Sequence, residues 1–540
     1  MPDFLGMFIE CFIIAALAAL VCAPCTLGPL GALQQAGYSG RQLSAWARRK
    51  GNMARSRYIL LAFLTALSSL VLGICFSFAG IWAAYIAFLP LPLFSLVYAF
   101  SARRALKVPL RGTKRAKRVY GLTVLWLFLC SFLLAILSNV IAFYVHVPFV
   151  GSLRSILFAV LPLLFLPLLR LANACEKPFS SRKNAKYLAA AAEKLRTAPC
   201  VKIGITGSCG KTSVKNFLAV ILSEKYRVFA TPASYNTPLG IAKAVESADL
   251  SACDFFLAEM GARHAGDIRE LCELVRPDHC ILTGICPQHV ETFGSIEGVI
   301  AAKSEIFAGT KAGGFAVIGS DEYTDSLDLS AYDLTKVTVG EHGECGVHDL
   351  VCTAAGIDFT LALGILQVKL HSRLLGAHNA ENIALAAAMA FKLGMSKEEI
   401  AAGVEKIDFV PHRLQPLHKN GVTILDDAYN ANVRGAAAAV EVLKLFPGRK
   451  FIVTPGLVEL GILEQEENRA LGRRLAGLDR VILVGATLVG AVKEGYLDGG
   501  GAPEKLTVVP TLQAAQELLA HELAEGDTVL FLNDLPDIYN

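Results

Sequence analysis

Apolar stretches long enough to cross a bilayer recur through the first 171 residues, at about 5–27, 58–74, 79–100, 122–145 and 153–171. At 1.5 Å per residue they rise about 26 to 36 Å, comparable with hydrocarbon roughly 30 Å thick. Backbone inside lipid has no water to bond to, so runs of this length must be helical. The expectation is an all-α transmembrane bundle of about five spans over residues 1–175, with 58–74 and 79–100 forming a tight helical hairpin. The run at 5–27 has no basic segment before it, which argues against a cleaved signal peptide.

Basic residues cluster after the first, third and fifth stretches, from Arg41 to Arg57, from Arg103 to Arg118 and from Arg170 to Lys186. The other two connections are nearly uncharged. The positive-inside rule then places the N-terminus outside and everything after the fifth stretch in the cytoplasm, giving a multi-pass protein of the plasma membrane. Glu10 and Arg154 fall inside stretches but near their outer ends, where a side chain reaches the interface. The basic loops can also contact a phosphorylated lipid headgroup. Over the whole chain only 18% of residues are charged, against about a quarter in soluble domains. A net charge of +4 is too small to argue for nucleic acid. The 14 cysteines are scattered, and Cys22-x-x-Cys25 has no partner pair, so neither a zinc site nor a disulfide framework is expected.

After the apolar region the pattern becomes that of an α/β protein. "VKIGITG" is a β-branched run ending in glycine, and "KTSVKNFLAVILSEKY" has helical spacing, so 201–226 reads strand, loop, helix. In the loop, Gly207, Ser208 and Gly210 let backbone N–H groups turn inward around phosphate. Lys211 reaches β/γ-phosphates, and Thr212, with Ser213 after it, offers a hydroxyl to Mg²⁺. Glu259 ends an apolar strand, placed as a second Mg²⁺ ligand at the carboxyl edge of a parallel sheet. "HCILTGICPQHVETFGSIEGVIAAKSEI" then brings a strand, His289, a turn and a helix bearing Lys303. Short β-type runs over about 310–375 suggest a small β insertion in a central domain at 176–410. Beyond it, at 411–540, the strands "VTILDD", "KFIVTPG", "RVILVG" and "TVLFLN" alternate with helices, which indicates a Rossmann-like domain with a mainly parallel sheet.

Six stretches in order, "TGSCGKTSVKN", "EMGARHAGDI", "HVETFGSIEGVIAAKSEI", "LLGAHNAENIALAAAMA", "PHRLQ" and "ILDDAYNAN", resemble the Mur ligase family. The resemblance covers about 185–530. It is nearest to the branch that adds D-alanyl-D-alanine to UDP-N-acetylmuramoyl-tripeptide. It implies an ATP-dependent carboxylate–amine ligase working through an acyl phosphate in envelope precursor synthesis, with ATP and two Mg²⁺ ions. By the family pattern Lys211 neutralises the β/γ-phosphates, and Thr212 and Glu259 hold one Mg²⁺. His289 holds the second, and Lys303 reacts with CO₂ to a carbamate facing the metals. Asn379 reads adenine, Arg413 contacts the γ-phosphate and Asp427 holds the ribose. Asn236 and Thr237 lie in the substrate-contacting loop. Arg413 and Asp427 belong to the C-terminal domain, so closure about a hinge near 408–411 is implied.

The departures from that pattern concern the substrates. Cys209 stands where a small polar residue is common. "VTPGLVELG" replaces G-D-M-x-E-L-G, and "LFLNDLPDIYN" stands where a K-G-S-type segment is usual. The apolar stretches occupy the place of the family's uridine-nucleotide-binding domain. The expected partners are an envelope precursor, soluble or lipid-linked, an amino acid or dipeptide, and membrane lipid. A poly-γ-glutamate-type polymer synthase on the same ligase core is the rival reading. A non-enzymatic scaffold is disfavoured by intact Lys211, Glu259, His289 and Lys303.

Overall fold

The computed structural model describes residues 4–48, 54–76, 81–103, 110–145, 150–429, 431–485 and 488–533. The chain forms two compact units and passes from the first to the second between Lys183 and Asn184.

The first unit is helical. Its opening helix, Phe4–Cys22, buries Cys11, Ala15, Ala18, Ala19 and Cys22 and exposes Phe4, Leu5, Phe8, Phe12, Leu17 and Leu20. Small side chains face inward and large apolar ones outward, the reverse of a soluble helix and the pattern of helices packed within lipid. Among the described residues three helices are long and apolar enough to cross a membrane: Phe4–Gln35, Ser56–Cys75 and Lys114–Ile141. Of the about five spans expected, these three are met by single long helices, and two stretches are broken. The stretch at 79–100 is broken at Leu89, between Ile81–Phe88 and Pro90–Arg103. That at 153–171 is broken at 159–160, between Val150–Phe158 and Leu161–Thr197. Pro90 and Pro162 sit in the first turn after each break, where a missing N–H is tolerated, whereas mid-helix each removes a hydrogen bond. The connections at 77–80 and 146–149 and parts of the basic clusters, at 49–53 and 104–109, lie outside the described residues.

Glu10 and Arg154 meet each other. Arg154 is 9% exposed, and its guanidinium lies 2.6 Å from Glu10 Oε1 while donating to Asn139 Oδ1 at 2.7 Å. Pairing offsets the cost of carrying both charges into an apolar bundle. Arg115 and Arg118, from the second basic cluster, converge on buried Glu176 at 3.0 and 2.6 Å.

The second unit holds two sheets. The strands of the first are β1 (Val201–Thr206), β2 (Val228–Ala230), β3 (Phe255–Glu259), β4 (His279–Leu282), β5 (Gly314–Gly319), β6 (Leu334–Val339), β7 (Cys345–Thr353), β8 (Gly356–Leu363) and β9 (Leu366–Ser372). They lie in the order β2-β3-β1-β4-β5-β6-β7-β8-β9, parallel as far as β7 and antiparallel beyond. β3 is buried at every position, as a strand covered on both faces must be. The short strands expected within 310–375 continue this sheet.

The second sheet comprises β10 (Gln415–Lys419), β11 (Val422–Asp427), β12 (Lys450–Thr454), β13 (Arg480–Val484), β14 (Leu506–Val509) and β15 (Thr528–Leu532), ordered β10-β11-β15-β12-β13-β14. Among these described strands only β10 runs antiparallel. The carboxyl ends of β1, β3 and β4 release the phosphate loop, Glu259 and the segment leading to His289, so one sheet edge gathers residues from three loops.

Candidate active site

The loop from Gly207 to Gly210 leads from β1 into the helix Lys211–Leu222. Its shape needs glycine at two points. Gly207 has φ +144°, and a Cβ there would collide with Thr283 Oγ1. Gly210 has φ +75°, and its Cβ would collide with Asn382 Oδ1. The β4 loop steadies the turn, with Ser208 N donating to Gly284 O at 2.9 Å and Thr283 Oγ1 donating to Cys209 O.

This cradle fits phosphate. Ser208 Oγ is buried and has no hydrogen-bond partner among the described residues, a debt that a phosphate oxygen would settle. Lys211 Nζ folds over the loop, donating to Gly207 O at 2.6 Å and Ser208 O at 3.1 Å. Desolvation lowers its pKa, with Glu259 opposing and Arg413 adding repulsion. A cation held by two carbonyls at a helix N-terminus is poised for an anion. Thr212 and Ser213 come next, in the first helical turn.

Glu259 is 1% exposed. Its Oε2 lies 3.3 Å from the ammonium of fully buried Lys215, and its Oε1 accepts from Asn236 Nδ2 at 3.1 Å. An ionised carboxylate has about four acceptor sites, so room remains for a cation. Thr237, next to Asn236, caps the helix Pro238–Ser247 by accepting from Gly240 N at 3.2 Å.

Lys303 lies on the helix Ile296–Gly309 and is 2% exposed. Among the described residues its ammonium makes a single long hydrogen bond, to Ala262 O at 3.5 Å. Desolvation, reinforced by Lys211, lowers its pKa to about 7. A large fraction of this amine is therefore neutral and nucleophilic near neutral pH, as reaction with CO₂ requires.

His289 stands in the left-handed region at φ +56°, ahead of the turn Val290–Phe293. Its Nδ1 pairs with Glu459 from the C-terminal domain. Desolvation lowers its pKa and Glu459 opposes that, while the Lys211 charge is also felt there. Among the described residues no three His, Cys, Asp or Glu side chains converge as a metal cage. Mg²⁺ commonly completes its shell with phosphate oxygens and water rather than with an all-protein cage.

The C-terminal domain reaches the same edge. Arg413 donates to Tyr429 O at 2.8 Å and stacks over the Tyr429 ring at 4.8 Å. Asp427, at the end of β11, accepts from Leu414 N at 3.1 Å. Desolvation raises its pKa to about 6, and Arg413 opposes the rise. Asn379, buried in the helix Ala377–Lys392, donates to Leu375 O at 2.8 Å. A cavity of about 530 Å³ beside the loop is lined from both domains, including Cys286, Asp321, Arg434, Leu457 and Arg474.

Sequence reasoning did not single out Lys215, Asn382 or Glu459. Lys215 had a signal, since it lies one turn after Lys211 on the same helix. Glu459 had one as well, because it is the glutamate that "VTPGLVELG" keeps in common with G-D-M-x-E-L-G.

Two family models match this part of the chain, the Mur ligase middle domain over residues 205–390 and the Mur ligase glutamate ligase domain over 412–533. UDP-N-acetylmuramoyl-tripeptide–D-alanyl-D-alanine ligase of Escherichia coli is 33% identical over 295 residues, covering 53% of this chain and 65% of the relative. The ligase of the same name from Mycobacterium bovis is 32% identical over 374 residues, covering 64% of this chain and 72% of the relative. The structure of MurF from Acinetobacter baumannii has a TM-score of 0.59 at 27% identity, covering 64% of this chain and 77% of its own. MurF of Thermotoga maritima in complex with ADP gives 0.58 at 28%, covering 65% and 80%. The alignment with the Escherichia coli enzyme thus leaves about a third of that enzyme unmatched. The chain belongs to the Mur ligase family of ATP-dependent, ADP-forming ligases.

Proposed function

We propose that this protein is a membrane-bound carboxylate–amine ligase of peptidoglycan precursor synthesis, with a transmembrane region at 1–175, an ATP-binding domain at 176–410 and a closing C-terminal domain at 411–540. The observation that carries the reading is the buried, weakly bonded Lys303, whose ammonium reaches Ala262 O just beyond the end of β3 and feels the charge of Lys211. In this reading Gly207, Ser208, Gly210 and Ser213 shape the phosphate site. Lys211 offsets charge on the β/γ-phosphates, and Arg413 does so on the γ-phosphate. Thr212 and Glu259 hold one Mg²⁺ and His289 the other. Lys303, as a carbamate, would turn a buried cation into an anion able to face a bound cation. Asn379 meets the adenine, Asp427 the ribose, and Asn236 and Thr237 border the acceptor.

Magnesium held by Thr212, Glu259 and His289 would supply charge neutralisation for transfer of the γ-phosphoryl group to the acceptor carboxylate. The substrate amine then displaces phosphate from the acyl phosphate and forms the amide. Phosphoryl transfer depends on positioning and electrostatics more than on covalent help from protein, and these residues provide both. D-Alanyl-D-alanine, named for the relatives, is the first amine to test.

The outward-facing apolar side chains and the three long helices support a membrane location. Charge distribution favours five crossings, with a broken third and fifth span, an external N-terminus and a cytoplasmic ligase. Reporter fusions after Leu110 and at the C-terminus should both read cytoplasmic. An external signal from either rejects this topology.

The helical unit directly precedes the ATP-binding domain, and this placement favours a lipid-linked acceptor. Confinement to one bilayer can raise effective concentration into the millimolar range. ATP-to-ADP turnover by the full chain in liposomes should be about 10-fold or more faster with lipid-linked peptide than with the soluble UDP-linked peptide at equal concentration. Equal rates would leave the helices as an anchor only.

A further inference from the structure

Residues 456–461 of the C-terminal domain are held against the turn that carries His289. Glu459 is 9% exposed, and its carboxylate pairs with His289 Nδ1 on one oxygen and lies 3.5 Å from Arg263 on the other. Its carbonyl accepts from Glu291 N at 3.4 Å. Gly461, at φ +60°, sits so close that a Cβ would lie 3.1 Å from the same Glu291 N.

The segment is also fixed from behind. Asn468, fully buried, accepts from Leu457 N and donates to Leu457 O, both at 2.8 Å. Gly456, at φ +91°, leaves no room for a Cβ, which would lie 2.6 Å from Asn468 Oδ1. Glu459 itself has φ +65°, a conformation that residues with a Cβ usually avoid. Surroundings that hold an unfavourable backbone in place mark a site where one side-chain direction matters.

A neutral imidazole carries its proton on either nitrogen, and only the unprotonated nitrogen can ligate a cation. A carboxylate on Nδ1 keeps the proton there and leaves the Nε2 lone pair available, while preventing ring rotation. We propose that Glu459 is a positioning residue, which sets the tautomer and orientation of His289 for a divalent cation. Because Glu459 comes from the C-terminal domain, the cation site is complete only when that domain is docked on the central one. Cation binding and domain closure are thereby coupled through one hydrogen bond. The inference rests on the reading that His289 holds a cation.

The test uses the full chain in detergent with a non-hydrolysable ATP analogue and Mn²⁺ as the probe, read by electron paramagnetic resonance. Glu459→Ala should weaken one of two Mn²⁺ sites by about 10-fold or more, within the range seen when such outer partners are lost. The KM for ATP should change less than about twofold while kcat falls. Glu459→Gln keeps an acceptor for Nδ1–H and should stay within about threefold of wild type in Mn²⁺ affinity. Wild-type Mn²⁺ affinity in Glu459→Ala, with the same site lost in His289→Ala, would overturn the positioning role and leave His289 as a ligand. Wild-type affinity in His289→Ala would overturn the metal reading, and the inference with it. Equal weakening in Glu459→Ala and Glu459→Gln would also overturn the inference, because the hydrogen bond would then not be what matters.

Discussion

Alanine in place of Lys211 should abolish ATP turnover, by roughly 10² or more in rate, the scale on which one preorganised contact to developing charge acts. Among the described residues the ammonium is hydrogen-bonded only to the Gly207 and Ser208 carbonyls. Truncation therefore removes little packing, and thermal unfolding should stay within a few degrees of wild type. Desolvation already lowers the Lys211 pKa, so the charge is held at some cost until an anion arrives. Turnover within a few-fold of wild type would remove the phosphate-loop assignment.

Lys303→Ala should be nearly inactive and partly restored by a small carboxylate such as formate or acetate at millimolar concentration. Carbamate formation joins a neutral amine to CO₂, forms an N–C bond and releases one proton. With the Lys303 pKa lowered to about 7 by desolvation and then by Lys211, the neutral amine is abundant at physiological pH. An ordinary lysine, with a pKa of about 10.4, would have under one part in a thousand neutral at pH 7. Rescue distinguishes a missing anion from a disrupted core, since a carboxylate cannot repair packing. A fully active alanine variant would make Lys303 an ordinary buried lysine.

The phosphate loop, Glu259 and the segment leading to His289 could be picked out as candidates because they follow strand ends. β1, β3 and β4 each read as a short apolar run, and a parallel sheet delivers the loops at the carboxyl ends of such runs to one edge. Lys303 could be named from its motif, but the reason for its low pKa could not. That depends on burial with a single hydrogen bond at 3.5 Å among the described residues. Thr237, expected near substrate, also caps a helix through its hydroxyl. Its contact is local and of a kind that Ser, Thr, Asn and Asp make at many helix starts.

The sequence by itself determined what depends on near neighbours. Apolar runs must be helical in lipid, glycines at 207 and 210 permit the tight loop, and short β-branched or apolar runs bounded by loop residues make strands. Only the tertiary structure decided where the third and fifth apolar stretches break, since a proline in a first turn and one in mid-helix look alike in sequence. It also brought Glu459 to His289, Arg154 to Glu10 and Asn382 to Gly210. These residues are far apart in the chain, and no periodicity connects them. Their meeting is set by how whole sheets and helices pack, because a buried charge or donor takes whatever partner that packing puts within about 3 Å.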